Sequence, residues 1–261
     1  MSVAVAVDIG GTWTRVGPAR FRTLPEYHRE IDTIAHAVPP GDDPVGVSFG
    51  GRVTAAGEVR VALNLRGYEG RPLAADLAAA LGRPVRVAHD ATCGLIGEAR
   101  EGALRGFERC GYLTLSTGVG AALRLGGVHL TTEAGHQLIA GNNLRCDCGQ
   151  AGCLQTLTGG AALARRLGRP LETITDEGFW VSYAGSLALG VANFALTAGL
   201  EAVALGGAIA LNPLLWPPLR EALARILTYQ QVSVVPAALG EDAPLRGAEA
   251  LPELPPDSVL H

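Results

Sequence analysis

The chain begins with an unbroken apolar run, "VAVAVD" at residues 3–8, which ends in a carboxylate and is followed by "IGGT" and a second run, "WTRVG". Apolar runs of this length on either side of glycines predict a strand, a tight turn and a returning strand. The layout recurs about 110 residues further on, in "YLTLSTGVGAALRLGG" at 112–127, where "TLST" leads into Gly118 and Gly120 and another apolar strand. Two copies of one glycine hairpin predict two similar halves.

Between the hairpins lie "VGVSFGGRV" (45–53), the strand-like "EVRVAL", and "PLAADLAAALG", whose Leu and Ala spacing and trailing Gly82 predict a helix with a C-terminal glycine cap. The strand "PVRVAH" and the helix "DATCGLIGEAREGAL" follow, with Asp90 at the helix start. After the second hairpin the pattern predicts a helix from about Thr158, a long apolar helix at 177–200 and a strand at 201–207. The helix "NPLLWPPLREALARIL", with Pro213 suited to a first turn, comes next. The chain closes with the strand "VSVVPA", a short helix at 242–251 and "PELPPDSVLH", read as a loose tail. Strands alternating with helices predict an α/β architecture.

Composition narrows the possibilities. With 261 residues, 48% of them hydrophobic, and a net charge of −4, the chain is long enough for a well-buried core in one or two domains and carries no broad basic surface for nucleic acid. The start lacks the basic segment and cleavage site of a secretory signal, so the cytoplasm is the expected location. The uncharged stretch 184–200 is short for a membrane span, is dotted with glycine and runs into Glu201, so a buried helix is expected and no membrane is. All 21 basic residues are arginine. The absence of lysine excludes a P-loop lysine, a protein-kinase phosphate lysine and a Schiff-base lysine.

Four groups of residues could carry chemistry. Asp8 precedes Gly10, Gly11 and Thr12, so backbone N–H groups and a hydroxyl could meet phosphate oxygens while Asp8 holds Mg²⁺ through water. A tight hairpin with Asp capping the turn accounts for the same residues. The second hairpin, with Thr117, Gly118 and Gly120, favours the phosphate reading, because two facing glycine hairpins form a clamp. Asp90 is either a helix N-cap or a general base, and helix starts at the carboxyl ends of strands are where α/β proteins bind ligands. Finally, "TTEAGHQ" places Glu133 and His136 three apart, and His136 lies ten residues before Cys146-x-Cys148-x4-Cys153. One histidine and three cysteines complete a tetrahedral zinc shell with no position left for catalytic water, and disulfides are disfavoured in the cytosol. Cys93 and Cys110 read as small core residues.

The segments "DIGGT", "HDATCGLIGE", "STGVG", "EAGH", "CDCGQAGCLQ" and "LGGAIA", in this order and spacing, resemble the ROK family of sugar kinases, which includes bacterial glucokinases. The resemblance extends over nearly the whole chain and implies an actin-like ATPase fold, two ribonuclease-H-like domains with ATP and sugar meeting in a central cleft. On that basis the domains are expected at 1–110 and 111–261, with the last helix placed to pack back on the first. The resemblance implies Asp90 as the base that deprotonates the sugar hydroxyl. It implies Asp8, Gly10, Gly11 and Thr12, then Thr117, Gly118 and Gly120, as phosphate motifs, and Gly206 and Gly207 as the adenosine motif. Gly51, Asn64, His89, Asp90, Glu133, His136 and Gln155 fall at or beside sugar-contacting positions, with His136 also a ligand of a structural zinc. The implied reaction is phosphorylation of a hexose hydroxyl by ATP with Mg²⁺, in a homodimer.

Three positions depart from the family pattern: His89 and Thr92 stand for asparagines around Asp90, and Gln155 for a glutamate after the last cysteine. Two segments, 28–44 and 168–182, are short for the family, the first leaving no room for the usual long helix. These departures keep a second expectation open, a sugar- or nucleotide-binding protein without strong catalysis. A nucleic-acid zinc module is disfavoured by the charge, and with the sequence starting at its first strand no DNA binding is expected.

Overall fold

The computed structural model describes residues 5–261. Residues 3–4 of the expected first strand lie outside that range. The first hairpin is β1 (Val5–Ile9) and β2 (Trp13–Val16), extended by β3 (Ala19–Arg22), a third strand that its short, charged sequence did not announce. Helix α1 (Tyr27–Ala37), 11 residues long, occupies the short segment before β4 (Val45–Phe49). A small antiparallel pair, β5 (Arg52–Val53) and β6 (Val59–Val61), leads to α2 (Leu73–Leu81), which ends on Gly82 in the left-handed conformation as the sequence predicts. β7 (Val85–His89) runs directly into α3 (Asp90–Arg100).

The second half repeats the plan. β8 (Arg109–Leu115), β9 (Val119–Leu125) and β10 (Val128–Thr132) form an antiparallel meander. The predicted helix from Thr158 is two pieces, α4 (Gln155–Thr158) and α5 (Gly160–Leu167), because Gly159 adopts an extended conformation between them. Helix α6 (Glu177–Ala198), β11 (Ala202–Gly206), α7 (Trp216–Ile226), β12 (Ser233–Pro236), α8 (Ala243–Ala250) and β13 (Val259–Leu260) complete the chain. Pro213 opens a 3-10 turn capped by Asn212 just before α7.

The two main sheets have matching topology. The first is ordered β3-β2-β1-β4-β7 and the second β12-β11-β8-β9-β10-β13. In each, a meander presents its first strand to two further parallel strands, β4 and β7 beside β1, β11 and β12 beside β8. The duplication expected from the glycine hairpins is thus a duplication of whole sheets.

Helix α6 is long and apolar enough to cross a membrane by length and composition, yet it forms the spine of the second core. Trp180, Tyr183, Leu187 and Val191 are buried in one cluster with strand residues Leu113, Leu115 and Leu205. Burial against protein explains the apolar composition without lipid.

Helix α8, from the end of the chain, packs on α3, β4 and β1 of the first half. The approach to α3 requires glycine. A Cβ on Gly247 would stand 1.7 Å from the Cys93 carbonyl oxygen.

The expected loose tail is instead docked. Val259 and Leu260 pair in parallel with His129 and Leu130 of β10. Arg86 on β7 donates to the carbonyls of Leu251, Leu254, Pro255 and Pro256 at 2.5–3.4 Å. Prolines cannot donate backbone hydrogen bonds, and an arginine fork supplies several donors to a run of carbonyls.

Candidate active site

The carboxyl ends of β1, β4, β7, β8 and β11 all open into one cleft of 810 Å³. Its lining brings together Asp8, Gly10, Gly11, Thr12, Gly51, Asn64, His89, Asp90, Thr117, Gly118, Gly120, Glu133, His136, Gln155 and Gly207, all singled out from sequence. Among the candidates for phosphate, adenosine and sugar contact, Gly206 is the exception. It is buried at the end of β11, where a Cβ would stand 2.1 Å from the Tyr112 hydroxyl oxygen, so it makes room for that ring.

The first hairpin turns through Gly10, whose N–H donates to Trp13 O at 3.0 Å and whose carbonyl accepts from the Thr23 hydroxyl at 2.7 Å. Behind it, the buried Glu30 carboxylate accepts from the Thr14 hydroxyl and, at 3.0 Å, from the Leu24 N–H. The turn therefore rests on a satisfied buried network. Gly11 packs directly on Asn64: a Cβ there would meet Asn64 Cβ at 2.8 Å. A candidate phosphate turn and a candidate sugar residue are thus in contact.

Asp8 is mostly enclosed. Its Oδ1 accepts from the Ser48 hydroxyl at 2.7 Å, and its Oδ2 accepts from Arg15 Nη2 at 2.9 Å and Nε at 3.2 Å. Burial pushes the carboxyl up from the usual aspartate range, against the opposing pull of Arg15 and Ser48. Arg15 also donates to Asp242 Oδ1 at 3.0 Å and to Glu241 O at 2.6 Å, joining β2 to the loop before α8. Sequence reasoning missed Arg15. The signal was present, since a tight hairpin places Arg15 directly opposite Asp8 in the β1–β2 ladder.

Asp90 is the first residue of α3, and the N-cap is His89, whose Nδ1 accepts from the Ala91 N–H at 3.1 Å. The capping reading of Asp90 therefore passes to its neighbour. Asp90 Oδ1 shares the same N–H at 2.6 Å, and no hydrogen bond to Oδ2 occurs among the described residues. His89 Nδ1 also lies 3.0 Å from Asp90 Oδ1. The ring lies against the second hairpin, where a Cβ on Gly120 would meet His89 Cε1 at 3.1 Å.

The second hairpin is braced from behind. Gln155 Oε1 accepts the Val119 N–H at 2.9 Å, and the N–H groups of Gly160 and Ala161 donate to the carbonyls of Ser116 and Thr117. Gln155 therefore supports the second glycine turn as well as lining the cleft. Across the cleft, Arg52 Nε approaches Glu133 Oε1 at 3.3 Å, and Glu133 Oε2 lies 3.9 Å from His136 Nε2.

His136, Cys146, Cys148 and Cys153 converge with all their ligand atoms within 4.8 Å of one another, and the cysteines are unpaired. His136 Nδ1 and Cys146 Sγ are 3.6 Å apart, and Cys148 Sγ and Cys153 Sγ 3.7 Å. A tetrahedral zinc, with Zn–S about 2.3 Å and Zn–N about 2.0 Å, requires sulfurs about 3.8 Å apart and sulfur to nitrogen about 3.5 Å. The donor set and spacing fit the ion. Gln150 Nε2 points at two of the sulfurs, at 3.6 and 3.9 Å, as an outer-shell donor would.

The model of the family described as "ROK family" matches residues 20–253. The chain belongs to the ROK family. Among curated proteins this ROK chain is 28% identical to the glucokinase of Thermotoga maritima over 95% of its own length and 96% of that protein's. It is 30% identical to an N-acetyl-D-glucosamine kinase of Salmonella newport, matched over 53% of each chain. Among solved structures, the ROK hexokinase of Thermus thermophilus superposes with a TM-score of 0.79 at 28% identity, covering 95% of this chain and 97% of that one. A ROK glucokinase from Streptomyces griseus, in complex with glucose and AMPPNP, superposes with a TM-score of 0.80 at 23% identity, covering 96% and 99%. The duplicated sheets and central cleft are those of the actin-like ATPase fold.

Proposed function

We propose that this ROK-family protein is an ATP-dependent sugar kinase that transfers the terminal phosphoryl group of ATP to a hexose hydroxyl. The observation that carries the proposal is the position of Asp90. It lines one cleft together with both glycine hairpins, at the start of a helix, with one carboxylate oxygen held by the Ala91 N–H. Phosphoryl transfer requires in-line positioning, a cation to spread charge over the phosphate oxygens, and a carboxylate to receive the hydroxyl proton. The glycine turns at Gly10–Gly11 and Gly118 supply close backbone approach, Mg²⁺ arrives with the nucleotide, and Asp90 takes the proton as the oxygen attacks phosphorus. Gly207 belongs to the adenosine end of the cleft in this reading, and Asn64, Glu133 and His136 to the sugar end.

The resemblance to glucokinases and an N-acetylglucosamine kinase supports a hexose or N-acetylhexosamine as acceptor. The cysteine–histidine cluster would hold a structural zinc. Through His136 the ion would fix the loop that carries Glu133 and lead the chain to Gln155. A second copy of the chain would cover exposed Val181, Leu189 and Leu196, whose spacing puts them on one side of α6.

A coupled ADP-release screen with ATP and Mg²⁺ against hexoses and N-acetylhexosamines tests the function. Sugar-dependent ADP release is expected. Nucleotide binding without turnover on any sugar would overturn the kinase reading in favour of a non-catalytic binder.

A further inference from the structure

Arg15 is the sheltered cation of the cleft. Its side chain is 16% exposed, against 54% for Arg52 and 61% for Arg165, which pair with Glu133 and Asp147 at the cleft wall. Arg20, also exposed, lies over the Trp13 ring at 4.5 Å. In a chain without lysine, arginine is the only permanently charged cation available to meet phosphate. The Arg15 fork already makes the kind of bonds a phosphate would ask of it, two to one carboxylate oxygen of Asp8 and one each to Asp242 and the Glu241 carbonyl. A guanidinium matches a pair of phosphate oxygens as well as a carboxylate.

The same pairing creates a competition. Asp8 is the candidate holder of Mg²⁺, a hard cation that prefers carboxylate and phosphate oxygens. A carboxylate oxygen engaged by an arginine fork is a poorer partner for the ion until the fork leaves.

We propose that Arg15 is a phosphate-binding residue that exchanges partners: the Mg²⁺ accompanying the nucleotide takes Asp8, and the released guanidinium binds phosphate oxygens of the donor. The inference rests on the kinase reading for the identity of that donor. It adds a cation to the clamp that the glycine hairpins alone lack. It also explains why a sheltered arginine faces a sheltered aspartate at the floor of a phosphate turn.

The test uses the full chain and two binding measurements, calorimetry with ADP in the absence and presence of Mg²⁺, and Mn²⁺ alone titrated by electron paramagnetic resonance. In Arg15→Gln, ADP affinity is expected to fall about 10- to 100-fold, as for loss of a charge-assisted bond, while Mn²⁺ alone binds more tightly because Asp8 is released. These opposite signs are not produced by a merely structural arginine. ADP affinity within about twofold of wild type, or ADP and Mn²⁺ affinities falling together, overturns the proposal. Asp242→Asn removes only the exposed partner of the same guanidinium and is expected to leave ADP affinity unchanged. An equal loss in both variants assigns Arg15 a structural role and overturns the proposal.

Should Arg15→Gln not fold, Arg15→Lys carries the test. A point charge in place of the fork is expected to lose about fivefold in ADP affinity, and full affinity in that variant overturns the assignment. Wild-type protein that binds ADP with these dependences yet phosphorylates no hexose sinks the kinase reading alone. Wild-type protein that binds no nucleotide overturns both.

Discussion

Gly247 of α8 and Cys93 of α3 meet backbone to backbone, so closely that a Cβ on Gly247 would lie 1.7 Å from Cys93 O. Helix α3 carries Asp90 at its first turn, and α8 follows the loop whose Asp242 and Glu241 hold Arg15. The buried Glu98 carboxylate on α3 closes the circuit by accepting N–H groups from Ala238 and Leu239, just before that loop. The last helix of the chain is therefore part of the frame of the cleft.

Gly247→Ala is expected to force α8 off α3 at a cost of about 1–3 kcal/mol, with the melting temperature falling about 2–4 °C for each kcal/mol. Denaturant and thermal unfolding measure it. Wild-type stability would show that the two helices separate at no cost.

Asp90→Asn should fold normally and lose turnover by about 10²–10⁴-fold, because the amide still accepts the Ala91 N–H but cannot take a proton. Circular dichroism and the coupled ADP assay check both halves. Activity within about threefold of wild type removes Asp90 as the base.

Gln155→Leu leaves the Val119 N–H without its acceptor, an expected cost of about 1–3 kcal/mol. Gln155→Glu keeps the acceptor and should keep the stability, while replacing the side chain's N–H donor by charge. Sugar KM is expected to change more than ATP KM in the Glu variant. An unchanged sugar KM would place Gln155 wholly in support of the turn.

Protein purified without chelators is expected to contain about one zinc per chain. Cys148→Ser, or chelation, should lower the melting temperature by about 5–10 °C and weaken sugar binding, because the ion ties His136 to the cysteine loop. Elemental analysis and thermal melts test this. Metal-free protein of unchanged stability and sugar affinity contradicts it.

Buried His129 on β10 should make stability fall on acidification. Burial lowers its pKa from the ordinary 6.5, so below that pH the unfolded chain binds a proton that the folded protein refuses. The unfolded state then holds more protons, and stability rises with pH through this window by at most about 1.4 kcal/mol per unit. The raised carboxyls of Asp8 and Glu30 act with the opposite sign. The diagnostic is therefore the difference between wild type and His129→Phe in denaturant unfolding between pH 5 and 7.5. Parallel pH profiles would remove His129 as the source.

Local pattern determined much of this protein. Apolar runs broken by glycine specified both hairpins, the leucine–alanine spacing before Gly82 specified α2, and the cysteine and histidine spacing specified a cluster that the fold brings within zinc dimensions. Each signal is complete within a short window, because turns, helix caps and ligand spacing depend on neighbouring residues alone. The tertiary structure decided what the windows could not hold. It folded the proline-rich tail into an edge strand under Arg86, moved the helix cap from Asp90 to His89, and sent Gly206 to shelter Tyr112. It also set Gln155 against the Val119 N–H and joined Arg15 to Asp242 across nearly the full length of the chain. The physical reason is the same throughout: these partners are chosen by whichever buried donor or acceptor the packing brings near, and sequence separation carries no record of that choice.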